Sequence, residues 1–285
     1  MTKLTNGLQC VKVPNEIGFS GKELMSDSVF NYLPDGIKLQ LPIWADSLRV
    51  LPNEVVRSAL FNVGNRNQPR RNLENEKIAT LGDGCITYTG KELRQDDELV
   101  WLNILNTIRK HHLGECVEFL PYSFLREIGW PTNGGAAERL RNCLLRMSVT
   151  GLTVSSKRIG MAINVSLIRK FLWRDEYTGK LYKHWKVWLE PEIILLFELN
   201  YLTYLDWQIR KKLPTGIATR LYGYWSSHRK PFPEGILRLM IVCGTKMPVK
   251  HFKEQLKEAL VVMEAVGFLS YWEISPNDVV KVQRN

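Results

Sequence analysis

The stretch "GGAAERLRNCLLRMSVTGLTV", residues 134–154, contains one apolar helical face that the chain repeats later. This face follows the spacing of an amphipathic helix and consists of Leu140, Cys143, Leu144 and Met147. The stretch "VKHFKEQLKEALVVMEAVGFLSY", residues 249–271, carries the same face 116 positions later, in Leu256, Ala259, Leu260 and Met263. The same offset places Gly151 on Gly267. The sequence therefore predicts two long helices of one design.

The segments around the two long helices also follow one order. Ahead of the first, "PYSFLREIGW" predicts a short helix and "PTNGG" a turn, and β-like alternation follows on both sides of "DEYTG". Ahead of the second, "PEGILRLMIV" predicts a short helix and "CGTKMP" a turn, and two strands follow around "SPND". Two helices joined by a short turn and followed by a β-hairpin form a winged helix, a variant of helix-turn-helix. Amphipathic helices can match by chance, but the repeated order favours an α+β fold with tandem winged-helix domains.

The repeat divides the chain into an arm and two domains. Residues 1–38 show no sustained periodicity and predict a mobile or loosely docked N-terminal arm. We assign residues 39–190 to the first winged-helix domain and residues 191–285 to the second. The first domain is predicted to begin with a helix over residues 52–63, a β-hairpin around "GDG" and a strong helix in "QDDELVWLNILNTIRKHH". The acids that open this last helix and the bases that close it suit the helix dipole.

The positive charge of the chain is unevenly distributed. The formal net charge is +10, made up of −1 in residues 1–120, +7 in residues 121–190 and +4 in residues 191–285. The basic excess therefore lies in the two stretches that contain the repeated helix. Clustered positive charge favours a polyanionic partner, because each phosphate that is neutralised releases counterions. A solvated basic surface without any nucleic-acid role is the alternative, and charge alone does not decide between them.

The cysteine pattern and the apolar stretches of the sequence indicate the cellular compartment. The five cysteines are scattered and form no C-x-x-C pair, which is typical of reduced thiols in a cytoplasmic protein. The first 16 residues lack the apolar core of a signal peptide, and the longest apolar stretch is too short to span a bilayer. We therefore expect a cytoplasmic protein with no membrane partner.

The outward faces of the two long helices and the flanks of these faces supply the candidate DNA-binding residues. On the first helix these are Asn142 on the outward face and Arg139, Arg141 and Arg146 on its flanks. On the second helix they are Lys250, His251, Glu254 and Lys257. Lys157 and Arg158 begin the first hairpin region and are placed to reach the DNA backbone. Arg pairs with guanine edges or phosphates, and Asn pairs with adenine. For each single residue an ordinary solvated charge is at least as good an explanation, so the prediction concerns the faces.

The motifs of the common enzyme classes are missing. "GCITYTGK" resembles the end of a P-loop, but five residues separate Gly84 from Gly90 and Glu92 follows Lys91 where Ser or Thr is required. The adjacent acids "DDE" need no catalytic role at the start of a helix. The sequence has no H-E-x-x-H, no paired zinc-ligand spacing, and none of the His-x-His pairs expected of a nicking initiator. We expect a non-enzymatic protein without cofactor or metal.

Three segments resemble the TrfA family of plasmid replication initiators: "LPNEVVRSALF", "ITYTGKELRQDDELVW" and "YGYWSSHRKPFP". The resemblance runs from about Lys38 to the C-terminus. It implies binding to direct repeats, called iterons, in double-stranded origin DNA, and opening of a neighbouring A+T-rich region, which adds single-stranded A+T-rich DNA as a further partner. It also implies recruitment of the host β sliding clamp, replicative helicase and DnaA initiator. A winged-helix transcriptional regulator and, less favoured, a nicking initiator enzyme are the alternatives.

The family resemblance further implies a monomer on DNA and a homodimer in solution. In related initiators the first domain carries the dimer contact, which competes with origin binding. The aromatic strand segments "FLW" and "KHWKVWL" are candidates for this contact.

The segment "QLPIW", residues 40–44, resembles the pentapeptide by which bacterial replication proteins hold the β sliding clamp. Gln40 and Leu41 match that pattern, while Ile43 stands for Leu and Trp44 for Phe. Pro42 departs from the pattern but favours an extended chain. The alternative is that these apolar side chains pack on the first domain of the chain itself as an edge strand.

Overall fold

The computed structural model of the chain describes residues 39–65, 67–82, 84–156, 162–175 and 177–285. Its helices are α1 (Asn53–Val56), α2 (Gln95–Ile108), α3 (Pro121–Glu127), α4 (Gly134–Ser148), α5 (Trp207–Lys212), α6 (Ile217–Ser226), α7 (Ile236–Cys243) and α8 (Val249–Ala265). Its strands are β1 (Leu48–Pro52), β2 (Asn72–Ile78), β3 (Cys85–Lys91), β4 (Val117–Phe119), β5 (Gly151–Ser155), β6 (Ala162–Val165), β7 (Lys170–Arg174), β8 (Leu181–Trp188), β9 (Leu202–Asp206), β10 (Glu234–Gly235), β11 (Leu269–Ile274) and β12 (Val279–Arg284). No helix in these ranges is long and apolar enough to cross a bilayer.

The first module, α2 to β8, is built around α4. This helix begins where the Asn133 side chain accepts a hydrogen bond from the backbone N–H of Ala136 at 2.9 Å, which is an N-cap. Its predicted apolar face is confirmed, because the four side chains of that face are all fully buried. After α4, β7 and β8 form an antiparallel hairpin, and β4 pairs with the other edge of β8. The strand order is therefore β4-β8-β7.

The second module, α6 to β12, repeats this arrangement. A helix, a strand, two helices and a hairpin follow one another as α6, β10, α7, α8 and β11–β12, and the strand order is β10-β12-β11. Gly244 ends α7 with φ 63°, and Gly267 follows α8 with φ 81°, both in the left-handed region that favours glycine. The apolar face of α8 is buried as predicted. The two stretches that match in sequence thus occupy the same place in two modules of one topology.

An extra sheet, formed partly by strands that precede α2, lies beside this common plan. The β2–β3 hairpin was predicted, but β5 and β6 then follow α4 and extend it into a four-stranded sheet of order β2-β3-β5-β6. Thr87 of β3 pairs with Thr153 of β5. The hairpin that closes the first module is therefore β7–β8, and it begins only at Lys170.

The helix predicted over residues 52–63 is wrong beyond its first turn. The helix α1 ends at Val56, and the chain then pairs with distant backbone: the N–H of Ala59 donates to the carbonyl of Ala79 at 2.8 Å. The apolar residues of this segment reach the core without helical geometry, because non-local hydrogen bonds satisfy their backbone groups. Periodicity alone does not reveal such partners.

Strand pairing and ion pairs connect the two sides of the domain boundary predicted at residue 190. β1 pairs antiparallel with β9, so that Val50 lies opposite Tyr204. A buried ion-pair cluster reinforces this junction: Glu98 of α2 lies 3.3 Å from Arg210 and 3.7 Å from Arg220 of the second half. Buried charges require such pairing. The parts of the chain on either side of residue 190 are therefore joined by a strand pair and by buried ion pairs.

The aromatic strand segments named as dimer candidates lie largely inside the first module. Phe171 of β7 and Trp185 of β8 are both buried, with ring centroids 5.4 Å apart. Exposure was expected because strand alternation does not show which face packs on α3 and α4. These two rings are thus part of the core of the chain itself.

Candidate nucleic-acid interface

The long helix α4 presents a narrow polar face to solvent. Glu138 and Asn142 are exposed, and Gly134 and Gly135 leave the start of the helix bare. Arg141 lies at the edge of this face and donates to Glu138 at 3.1 Å. A neutral amide, a carboxylate and one guanidinium offer both donors and acceptors, the combination that recognises base edges.

Arg146 and Arg139, both predicted to contact DNA, are engaged inside the protein. Arg146 donates from Nε at 3.0 Å and from Nη2 at 2.7 Å to the same Asp97 carboxylate oxygen. Arg139 stacks its guanidinium on the ring of Trp130, 3.7 Å from the ring centroid, and lies 3.7 Å from Asp96. The helical spacing placed both arginines correctly on the flanks of α4, but the acids that hold them come from another helix.

These acids are the first-turn residues of α2. The helix dipole alone was enough to account for them in the sequence, without a contact to α4. Asp97 is fully buried, accepts the Arg94 backbone N–H at 2.9 Å and pairs with Arg70 at 2.6 Å as well as with Arg146. Asp96 is also buried and pairs with Arg70 at 2.8 Å. One carboxylate cluster thus joins the start of α2, the segment before β2 and the long helix α4.

The pKa values of the two aspartates depend on their burial and on the charges packed around them. Burial, with the neighbouring charge of Asp96, raises the pKa of Asp97 above its ordinary value. Burial also acts to raise the pKa of Asp96, but Arg70, Arg146 and Arg139 outweigh it and lower that pKa. The pKa values of the two adjacent carboxylates therefore shift in opposite directions, because burial dominates at Asp97 and the arginines dominate at Asp96.

The same cluster is a possible ligand set for a metal ion. Asp96, Asp97 and Cys143 place their ligand atoms within 4.8 Å of one another. However, the carboxylates already accept hydrogen bonds from arginines, and burial raises the pKa of Cys143 well above its ordinary value. A protonated thiol and occupied carboxylates do not fit a cation, so the cluster fits an ion-pair role better.

The second long helix, α8, keeps all its predicted residues on the surface. These exposed residues are Lys250, His251, Glu254 and Lys257. His251 Nδ1 lies 3.4 Å from Glu254. The two lysines lie on the same face about two helical turns apart. α8 therefore offers more free positive charge than α4 does.

The β7–β8 hairpin adds bases that the candidate set omitted. Exposed cations on its strands and tip are Lys170, Arg174, Lys180 and Lys183. Tyr177 at the tip is fully exposed. The signal for them was present in the excess charge of residues 121–190. The predicted Lys157 and Arg158 lie outside the described residues.

The QLPIW segment is docked on the protein itself. Leu41 is 2% exposed and Trp44 is 5% exposed, whereas Ile43 is 59% exposed. Gln40 donates from its amide to the carbonyl of Arg109 at 2.9 Å, and the Trp44 indole N–H donates to the Asn106 side chain at 3.1 Å. Of the four predicted clamp contacts, the structure thus presents only Ile43 to a partner, as the core-packing alternative expects.

The fold and the site define a mixed helix-and-sheet protein whose two equivalent modules each expose one long polar helix. Domains 2 and 3 of RctB share this fold: one structure has a TM-score of 0.55 and 14% identity, covering 81% of this chain and 96% of that chain. A second RctB structure has a TM-score of 0.53 and 15% identity, covering 78% of this chain and 92% of that chain. The Pi initiator protein in complex with iteron DNA matches at a TM-score of 0.47 with 10% identity, over 65% of this chain and 90% of that chain.

The sequence model of the TrfA protein family matches residues 36–284. The plasmid replication initiator protein TrfA of Escherichia coli is 35% identical over 245 residues, which cover 85% of this chain and 63% of that relative. The chain therefore belongs to the TrfA family, and it spans less than two thirds of the length of this curated relative.

Proposed function

We propose that this protein is a plasmid replication initiator that binds iteron repeats in origin DNA through two winged-helix domains. The observation that carries the proposal is the duplicated topology, in which α4 and α8 occupy equivalent places between a short helix and a closing hairpin. A winged helix has this order of elements, and its second long helix enters the major groove. The relative in the same family that is named an initiator supports the cellular role.

The domain limits that accompany this proposal are residues 39–190 and 191–285. The pairing of β1 with β9 and the Glu98 cluster tie them together, which supports a fixed spacing between α4 and α8. Two helices held in this way suit two successive major grooves, so one binding site should span about two helical turns, each roughly 10–10.5 bp.

In this proposal the protein acts by binding and has no hydrolytic step. Contacts to duplex repeats supply the free energy for bending and opening the adjacent A+T-rich DNA, whose single strand then becomes a further ligand. The host helicase and DnaA are the partners expected next. A winged-helix transcriptional regulator would use the same faces, and a nicking initiator would cleave the origin.

A footprint on the parent plasmid, combined with a plasmid maintenance assay, tests the proposal. Protection of repeated sites within a region that supports replication only when this protein is supplied is the expected result. Protection confined to a promoter, with replication unaffected, would support the regulator. A site-specific nick in supercoiled origin DNA would support the enzyme.

Replacing Lys250 and Lys257 together by Ala is expected to weaken iteron binding and to flatten its salt dependence. Each lysine that neutralises a phosphate contributes close to one unit to the slope of log K against log salt, so the slope should fall by about 2. Fluorescence anisotropy at several salt concentrations measures both effects. Lys212 and Lys230, also exposed but outside α8, form the matched double-lysine control. An unchanged slope in the α8 variant would exclude that helix from the interface.

We also propose a dimer in solution that gives way to a monomer on DNA. The sedimentation coefficient should rise with protein concentration, and one protomer should bind each isolated iteron. A single dimer on one iteron would contradict this proposal. The contact must lie elsewhere than on Phe171 and Trp185, because both are buried within the chain.

A further inference from the structure

The described residues of the loop ahead of β2, 64–65 and 67–71, are held by hydrogen bonds from Arg94. The Arg94 guanidinium is almost fully buried and donates to the carbonyls of Asn65, Gln68 and Pro69, the last two at 2.9 Å. An arginine that binds three carbonyls of one loop fixes the backbone of that loop.

Glycine and arginine pack closely beneath this loop. A Cβ atom on Gly64 would lie 2.8 Å from Arg94 Nε and 2.7 Å from the Asn62 side chain, so a larger residue there would have to displace one of these side chains. At the other end, Arg70 donates to the Glu92 carbonyl at 2.7 Å in addition to its pairs with Asp96 and Asp97. Both ends of the loop are thus anchored, while the side chains of Asn67 and Gln68 are exposed.

The loop and the helix α4 form the walls of one open pocket of about 410 Å³. Asn67 lies on the loop side, and Gly135, Glu138 and Asn142 lie on the α4 side. The first half of α4 and Asn67 therefore face the same volume.

The charge balance of the pocket decides which ligand it suits. Its three arginines, Arg70, Arg139 and Arg146, are paired with Asp96 and with the adjoining Asp97. Glu138, the other acid of the lining, pairs with Arg141. Because these arginines are already held by carboxylates, the pocket attracts a free phosphate only weakly. Its accessible groups are instead two amides and a carboxylate, which recognise the donor and acceptor edges of bases in the major groove.

We propose that the loop at Asn67 and Gln68 is a second DNA-reading element, which contacts base edges next to those contacted by Asn142 of α4. The inference rests on the proposed function, since it requires α4 to enter a major groove. It adds that specificity in the first module comes from two elements, one of which is not a helix. The rigid anchoring by Arg94 and Arg70 keeps the ordering cost of the loop low on binding.

The experiment compares Asn67→Ala, Asn142→Ala and the control Gln208→Ala in the full chain, on iteron duplexes in which single base pairs are changed. Gln208 is an exposed amide on α5, outside the pocket. Asn67→Ala should bind the native iteron about tenfold more weakly with an unchanged salt slope, because an amide neutralises no phosphate. It should also lose discrimination at one or two base pairs beside those affected by Asn142→Ala. Asn67→Asp should bind more weakly still, through repulsion from phosphates.

Two results overturn the proposal in distinguishable ways. If Asn67→Ala and Asn67→Asp bind all duplexes as the unaltered chain does, while loss of Lys250 and Lys257 weakens binding, DNA binding holds and the loop has no part in it. If the unaltered chain binds no origin duplex, the proposed function itself fails and the role of the loop fails with it. Melting temperatures equal to that of the unaltered chain should accompany every variant, because all the replaced side chains are exposed.

Discussion

Replacing Trp44 by Ala is expected to lower the free energy of unfolding by about 3–5 kcal/mol, the usual cost of truncating a buried Trp. The indole is 5% exposed, stacks on Phe197 with centroids 6.5 Å apart and donates to Asn106. The substitution therefore leaves a cavity and removes the partner of a half-buried amide. Urea unfolding followed by circular dichroism measures the change.

Ile43→Ala is the matched control for this experiment. Ile43 lies one residue earlier in the same segment but is 59% exposed, so its loss should change stability by no more than about 0.5 kcal/mol. Equal and small effects of both substitutions would show that the segment is not docked in solution. In that case the whole QLPIW segment would be accessible to a partner.

The same two variants separate core packing from clamp binding. If the segment must leave its site before a clamp binds Leu41 and Trp44, the apparent affinity equals the intrinsic affinity multiplied by the fraction of molecules that are undocked. A clamp that uses Ile43 alone would be sensitive to Ile43→Ala at unchanged stability. Affinity for an immobilised β clamp, measured on proteins of known melting temperature, distinguishes these cases. No binding by the unaltered chain would exclude the clamp as a partner of this segment.

The QLPIW segment also shows why local pattern has a limit. An aliphatic and an aromatic residue in an extended peptide suit a partner's pocket and the protein's own core equally well. Only the positions of Asn106, Arg109 and Phe197, all distant in sequence, decide that Trp44 is internal. By contrast, the repeated helix could be predicted because its apolar face is set by 3.6-residue periodicity within one segment.

The charged residues of α4 fall between these two cases. Spacing along the helix placed Arg139, Arg141 and Arg146 on the flanks of its outward face. Which of them meets solvent depends on Asp96 and Asp97 from α2, which are about 50 residues away in the chain. Charge counts therefore overestimated the free positive charge of α4. The cations of the β7–β8 hairpin contributed to the excess charge of residues 121–190 but were missing from the candidate residues.

Replacing Arg146 by Ala is expected to lower the free energy of unfolding by about 3 kcal/mol, the lower end of the cost of breaking a buried ion pair. Asp97 is fully buried and would lose the one partner that gives it two hydrogen bonds, although Arg70 and the Arg94 N–H would remain. Arg141→Ala, on the exposed side of the same helix, should cost no more than about 0.5 kcal/mol, because its pair with Glu138 lies at the surface.

The two arginines should also differ in how they affect DNA. Arg141→Ala should weaken iteron binding at unchanged stability and reduce the salt slope by about 1 if the guanidinium binds a phosphate. Arg146→Ala should weaken binding only as far as α4 loses its position. The neutral pair Asp97→Asn with Arg146→Gln removes both charges and keeps hydrogen-bonding groups, so it should restore much of the stability lost in Arg146→Ala.

A double-mutant cycle over these two positions measures their coupling directly. A coupling free energy above about 1 kcal/mol, together with recovered DNA affinity in the neutral pair, is the expected result for an ion pair that positions α4. Additive effects on stability would mean that Asp97 and Arg146 do not act as a pair. A neutral pair that is fully stable but still fails to bind iterons would instead place the Arg146 charge in direct contact with DNA, because positioning and charge are separated in that variant.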